Sequence, residues 1–280
     1  MSALTVGSLF SGIGGLDLGL ERAGMRTIWF CEIDPFCQKV LRKHWPGVPI
    51  YDDVRTIGED SLVRPDVLAG GFPCQPHSLA GRRQASADER DLWGEFARLI
   101  GEFKPRWVLA ENVPGLLSSE DGRFFGRVLR DLAACGYDAE WNCIPAAAVG
   151  APHIRDRVFI LAYPQVGGLE RGSNGHILHS TPSAYRKGQS AGSGSRGCEG
   201  DVADADDAGL AQRQILRCNA AAQFEAIKRG SGSDWLSEPN VGRVVDGVPS
   251  RVDRLRSLGN AVVPQVAEWI GRRIMEADTA

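Results

Sequence analysis

Thr5-Val6-Gly7-Ser8-Leu9-Phe10-Ser11-Gly12-Ile13-Gly14-Gly15, continued by LDLGLERAG to residue 24, reads as a short apolar strand, a glycine turn and a helix. Glycines at a strand-to-helix turn permit positive φ and let a ligand approach the backbone, while the helix start offers free amide donors. A plain tight turn would look the same from this stretch alone. The next strand ends in Cys31-Glu32-Ile33-Asp34, about 20 residues on, where an acidic residue at a strand tip is placed to accept hydrogen bonds from ribose hydroxyls. Asp53, after a third segment, suits an adenine amine. After Gly12 and Gly14 the third glycine, Gly15, is adjacent instead of three residues on, so the turn fits an adenosine ligand without a pyrophosphate better than a dinucleotide.

Outward from this unit, apolar runs and amphipathic segments alternate from residue 4 to residue 162, the pattern of an α/β protein with a mostly parallel sheet and helices on both faces. Strands are predicted at Thr5–Leu9, Thr27–Cys31, Val67–Ala69, Trp107–Ala110, Ala139–Ile144 and Val158–Ala162. Helices are predicted at Leu16–Ala23, Pro35–His44, Asp91–Phe103 and Phe124–Cys135, with Pro35 in a first turn and Gly136 just past an end. Between Tyr163 and Asp234 Gly, Ser and Arg become dense and no core face is evident, as in GQSAGSGSRGCEG. Order returns from Trp235 into an amphipathic helix at Gln265–Met275. The expected division is a domain of residues 1–162, onto which 257–280 dock back, and a small irregular region of 163–256.

The chain has 280 residues and a formal charge of −3, which excludes a tiny disulfide scaffold, a disordered chain and a uniformly basic nucleic-acid binder. A polyanion partner therefore needs a local patch, and residues 242–256 offer one: Arg243, Arg251, Arg254 and Arg256 against Asp246 and Asp253. Glycine is the compositional outlier, 34 of 280 against a usual level of about 7%. The seven cysteines are scattered and odd in number, without the paired spacing of a zinc site, so the expectation is a reduced chain with no metal. The N-terminus lacks a basic region and no 18-residue apolar run follows, so a cytoplasmic protein away from membranes is expected, nucleoid-associated if its partner is DNA.

Two further stretches carry chemistry. Asp66-Val67-Leu68-Ala69-Gly70-Gly71-Phe72-Pro73-Cys74-Gln75-Pro76 sets a cysteine just past a strand, where open α/β sheets bind ligands, with Gly70 and Gly71 leaving room and prolines stiffening its flanks. The following strand delivers Glu111-Asn112-Val113-Pro114-Gly115, a carboxylate at the equivalent end, so thiol and acid can converge on one small molecule. Arg155 and Arg157 flank a last strand and, at i and i+2, are expected on one side of it.

These motifs, LFSGIGGLDLGLERAG, the strand-end Glu32, GGFPCQPHSLAG, ENVPGL, RDRVF and LGNAVVPQ, stand in the order found in bacterial and prophage cytosine-5 DNA methyltransferases, which the chain resembles over residues 4–162 and 235–275. The resemblance implies a Rossmann-like S-adenosylmethionine-dependent methyltransferase sheet with 163–256 as target-recognition region. It implies S-adenosylmethionine as cofactor, held by Phe10, Gly12, Ile13, Gly14, Gly15, Glu32, Ile33, Asp53, Val54 and Pro73, with Asn260 and Ala261 closing the pocket. Cys74 would be the nucleophile toward cytosine carbon 6, Glu111 would hold the ring nitrogen and exocyclic amine, and Arg157, supported by Arg155, would anchor the base. Gln75, Ser78 and Asn112 fall on the substrate side, with Gln75–Arg90 as a closing loop. His153 stands where the family often has Gln. The implied partner is double-stranded DNA, with a restriction endonuclease as functional counterpart or none, and a monomer as the default. Two alternatives stay open: a tRNA cytosine methyltransferase, since a relative of the family acts on RNA, and a catalytically silent DNA-binding homologue.

Overall fold

A computed structural model describes residues 3–73, 92–165, 177–178 and 249–279. In chain order these form β1 (Thr5–Leu9), α1 (Gly15–Arg22), β2 (Arg26–Cys31), α2 (Pro35–His44), β3 (Ile50–Tyr51), β4 (Val67–Gly71), α3 (Trp93–Phe103), β5 (Trp107–Asn112), α4 (Arg123–Ala134), β6 (Tyr137–Pro145), β7 (Asp156–Pro164), α5 (Arg251–Asn260) and α6 (Pro264–Asp278). The caps explain several boundaries. Asp34 accepts hydrogen bonds from the amides of Phe36 and Cys37, Pro35 occupies the first turn of α2, and Arg42, Lys43 and His44 complement the dipole at its end.

Among the described residues the sheet has seven strands in the order β3-β2-β1-β4-β5-β7-β6. The first five are parallel; β7 runs antiparallel to both β5 and β6. Only a 3-10 turn at Ala146–Val149 and a short loop separate β6 from β7, too little for a helical crossover, so the chain returns in the opposite direction. Because β2 and β3 lie on one side of β1 while β4 and β5 lie on the other, a crevice opens over the carboxyl ends of β1 and β4.

Helices cover both faces, which is why β4 and β5 are buried almost throughout instead of alternating. On one face Val6, Val67, Leu109 and Leu161 meet Leu16 and Leu20 of α1 and Val266, Ile270 and Ile274 of α6. On the other, Leu68, Val108 and Ile160 meet Trp93, Phe96, Leu99 and Phe103 of α3 and Phe125 and Val128 of α4. The approach of α6 to α1 is closest at Gly19, where a Cβ would stand 2.3 Å from the Pro264 carbonyl oxygen and 2.4 Å from the Ala267 methyl. Gly19→Ala is therefore expected to push the helices apart and cost about 1–3 kcal/mol, read as a lower urea midpoint; an unchanged midpoint would contradict this packing.

The structure differs from the sequence reading in several places, among them the unpredicted β3 and α5. β7 runs on to Pro164, paired with Tyr137, so the sheet does not stop at residue 162. α5 is continuous across the expected division at 256/257. Ile177 and Leu178, inside the stretch read as lacking a core face, are buried. The Glu140 carboxylate accepts from both their amides at 3.0 Å, while Asn142 Nδ2 donates to the Leu178 carbonyl and Arg273 Nε to that of Ile177. Finally, Cys143 takes part in a disulfide, a departure from the wholly reduced chain that the cysteine count suggested, whereas Cys31, Cys37 and Cys135 are free thiols. No helix among the described residues is long and apolar enough to cross a membrane.

Candidate active site

The crevice over β1 and β4 deepens into a cavity of about 560 Å³, within the usual range for small-molecule sites. β1 contributes Ser8 and Leu9, the turn after it Phe10 to Gly12, and α1 its first residues, Gly15 and Leu16. β2 brings Glu32, β4 brings Gly71 followed by Phe72 and Pro73, β5 brings Glu111 and Asn112, and β7 brings Arg157. The mouth is bordered by Asp34 and Cys37 of α2 and by Arg256, Ser257, Asn260, Ala261 and Val262.

Gly12 has φ +55, and a Cβ built there would meet nothing within 4 Å. Its backbone thus faces open cavity, as a cradle for a ligand requires. Its amide donates to Glu32 Oε2 at 2.7 Å, and the Asp34 amide donates to Oε1 at 2.8 Å. Burial pushes the Glu32 carboxyl up from its ordinary value, and these amides offset only part of that. With three amides on its roughly four acceptor sites, the carboxylate still has room for a ligand hydroxyl. Gly15 is needed for another reason: a Cβ would stand 2.4 Å from the Val262 carbonyl oxygen, so only glycine lets the segment after α5 close over the start of α1.

At the far end, Glu111 is 7% exposed and its Oε1 lies 3.0 Å from Arg157 Nε. Its other oxygen occupies the room left by Gly71, 2.7 Å from where a Cβ would be. Burial raises this carboxyl to about 7 even though Arg157 and Arg155 both pull it down. A carboxyl titrating near neutrality can give or take a proton at a reacting ring. Asn112 serves the backbone: Nδ2 donates to the Phe72 carbonyl at 2.9 Å and Oδ1 accepts from the Val113 amide at 2.8 Å, fixing the chain that leads to Pro73.

Of the predicted site residues, Phe10, Gly12, Gly15, Glu32, Pro73, Glu111, Asn112, Arg157, Asn260 and Ala261 line this one cavity. Cys74, Gln75, Ser78 and the rest of the 75–90 loop lie outside the described residues. The remaining residues stand outside the lining of this cavity. Asp53 does not reach the cavity: Arg55 takes its carboxylate in an ion pair at 2.8 Å and holds it below the usual carboxylate range. Val54 is buried in the core, Ile33 is 70% exposed, and Gly14 caps α1, so neither they nor Ile13 are among the cavity walls. Arg155 precedes β7 with a left-handed backbone, φ +40, so strand alternation does not extend to it. Its Nη2 donates to the carbonyls of Gly259 at 2.6 Å and Ala261 at 2.5 Å.

Sequence reasoning missed the contacts that close the mouth. Arg256 pairs with Asp34, and the Ser257 hydroxyl lies 3.5 Å from the Cys37 thiol. Pro35 in the first turn of α2 was legible; the pairing of the neighbouring Asp34 with a residue 222 positions away was not.

The chain is similar to known proteins over this part of the fold. The family model described as C-5 cytosine-specific DNA methylase matches residues 4–190. The Type II methyltransferase M2.BsuMI of Bacillus subtilis is 40% identical over 164 residues, covering 57% of this chain and 42% of that protein. The Type II methyltransferase M.Eco47II of Escherichia coli is 40% identical over 187 residues, 65% of this chain and 43% of its own. A crystal structure of a prophage-encoded DNA modification methyltransferase from E. coli superposes with a TM-score of 0.50 at 29% identity, covering 58% of this chain and 47% of that one. The chain spans about half the length of the curated relatives it matches.

Proposed function

Because the chain belongs to the C-5 cytosine-specific DNA methylase family, we propose that it transfers a methyl group from S-adenosylmethionine to carbon 5 of cytosine in double-stranded DNA. The observation that carries this reading is a single cavity holding both the open Gly12 cradle with Glu32 and the buried Glu111–Arg157 pair. The residues present fit the cofactor. The Gly12 amide and the Glu32 carboxylate stand together in the cavity wall, a donor set suited to the hydroxyls of a ribose. Phe10, Gly12, Gly15 and Glu32 would hold the adenosine and its chain, and Asn260 and Ala261 would close over it. When bound, S-adenosylmethionine supplies an electrophilic methyl group on a cationic sulfur.

The protein's own residues do the rest. Cytosine carbon 5 is a poor nucleophile until a thiolate adds to carbon 6, and Cys74, the residue after Pro73, is the nucleophile of this reading. Glu111 holds the ring nitrogen and exocyclic amine and shares its proton as charge develops there; Arg157 orients Glu111 and anchors the base. Loss of the carbon-5 proton and departure of the thiolate restore the aromatic ring. Carbons 5 and 6 of a paired cytosine are held within the base stack, so the base reaches such a cavity only after it has swung out of the duplex. The segment between β7 and α5 serves as the target-recognition region, and the protein works as a monomer at the nucleoid, either paired with a restriction endonuclease or as a solitary or prophage methylase.

Incubation with methyl-labelled S-adenosylmethionine and, in parallel, duplex DNA and tRNA tests this. Label in DNA as 5-methylcytosine is expected. Label in tRNA alone, or in adenine, would replace the reading, and binding of cofactor without transfer would favour a silent homologue.

A further inference from the structure

We infer that Arg155 is a positioning residue for the cofactor half of the cavity, holding the turn at the end of α5, and that it does not act on the base. The inference rests on the functional reading above and reassigns a residue whose place in the motif suggested support for Arg157.

Three observations carry it. First, one guanidinium nitrogen donates to two carbonyls, those of Gly259 and Ala261, which flank Asn260 on either side. Asn260 and Ala261 are cavity walls, whereas Arg155 is not. Second, these carbonyls sit where α5 ends, and the helix has no following turn to satisfy them, so Arg155 supplies the donors that the backbone lacks. The turn matters because it leads directly to Val262, whose carbonyl oxygen stands where a Cβ on Gly15 would be, at the start of α1. Third, Arg155 adopts a left-handed backbone, costly for a residue with a Cβ, directly before β7 begins at Asp156. That conformation takes it out of the strand alternation, leaving Arg157 to pair with Glu111 at 3.0 Å. The two arginines thus divide the cavity between them: Arg157 serves the base side and Arg155 the cofactor side. The charge of Arg155 still reaches Glu111, which gives the two halves an electrostatic link.

The test measures binding of S-adenosylhomocysteine, which cannot react, to the full chain without DNA. Arg155→Ala is expected to weaken it by roughly 10- to 100-fold, as loss of two charge-assisted hydrogen bonds implies, and added methylguanidinium is expected to restore much of the loss. Arg155→Lys, which keeps the charge and can reach one carbonyl, should fall between, and it carries the test if the alanine variant does not fold. Arg272→Ala, at an exposed arginine of α6 whose partner is Glu268, should leave this affinity within about threefold. Wild-type affinity in both Arg155 variants, or an equal loss in Arg272→Ala, would overturn the assignment while leaving the functional reading intact. Failure of the wild-type chain to bind the ligand at all would overturn the functional reading first, and this inference with it.

Discussion

Glu111→Gln is expected to lower methyl transfer to duplex DNA by roughly 10²- to 10⁴-fold, the range over which a positioned proton donor contributes to rate. The substitution keeps shape and volume, so the cavity, the room at Gly71 and the chain through Asn112 should persist. What it removes is a titrating group. The carboxyl sits at about 7 because burial outweighs the two arginines, so near neutrality much of it carries a proton that a ring nitrogen can receive. As pH rises through about 7 that proton is lost, and kcat/KM of the wild type is expected to fall on that side of its profile. In Glu111→Gln this limb should be missing from what activity remains. A variant with more than a tenth of wild-type activity, or one that kept the limb, would remove Glu111 from the proton's path.

Asp17→Asn is expected to stabilise the protein above neutrality. Asp17 is fully buried in the first turn of α1, and neither carboxyl oxygen makes a hydrogen bond of good geometry among the described residues. Burial drives this carboxyl up to about 7; the neighbouring Ser8 hydroxyl and its own amide counter this in part, and Glu21 adds to it. The folded state therefore binds the proton more tightly than the unfolded state, so stability is lost as pH rises from about 4 through about 7. At pH 8 the buried charge costs about 4 kcal/mol, and asparagine avoids that cost while leaving a similar neutral group in place. Urea titrations should show the two proteins nearly equal at about pH 3, below both values, the variant ahead by about 1–2 kcal/mol at pH 5 and by up to about 4 kcal/mol at pH 8. Equal stability at pH 8 would mean that the carboxylate finds a partner that its surroundings do not reveal.

Much of this architecture was legible because the signals were local. The glycine turn, the acidic tip of β2 and the carboxylate ending β5 each sit where a strand stops, and parallel strands bring such ends together without further information. The antiparallel β7 was not legible: its apolar residues are those of any buried strand, and its direction follows from the short link after β6. The pairing of Asp53 with Arg55 was not legible, because an acidic residue after a strand looks the same whether it faces a ligand or an arginine two residues on. The roles of Arg155 and Arg256 could not be read because their partners lie more than 100 and 200 residues away, chosen by packing and not by spacing. Ile177 and Leu178 escaped notice since two apolar residues make no periodicity, and Glu140, Asn142 and Arg273 that hold them are scattered along the chain.

That last junction has a bearing on redesign. Glu140 grips amides, not side chains, so it accepts almost any dipeptide whose backbone can be presented there; the demand falls on conformation, with burial asking only for apolar side chains. The long segment between β7 and α5 is thereby divided at a fixed joint, like a cable clipped to a wall partway along its run. A proline at position 177 or 178 would remove an amide that Glu140 holds and release the clip from β6, while any apolar pair that keeps the backbone should stay in place.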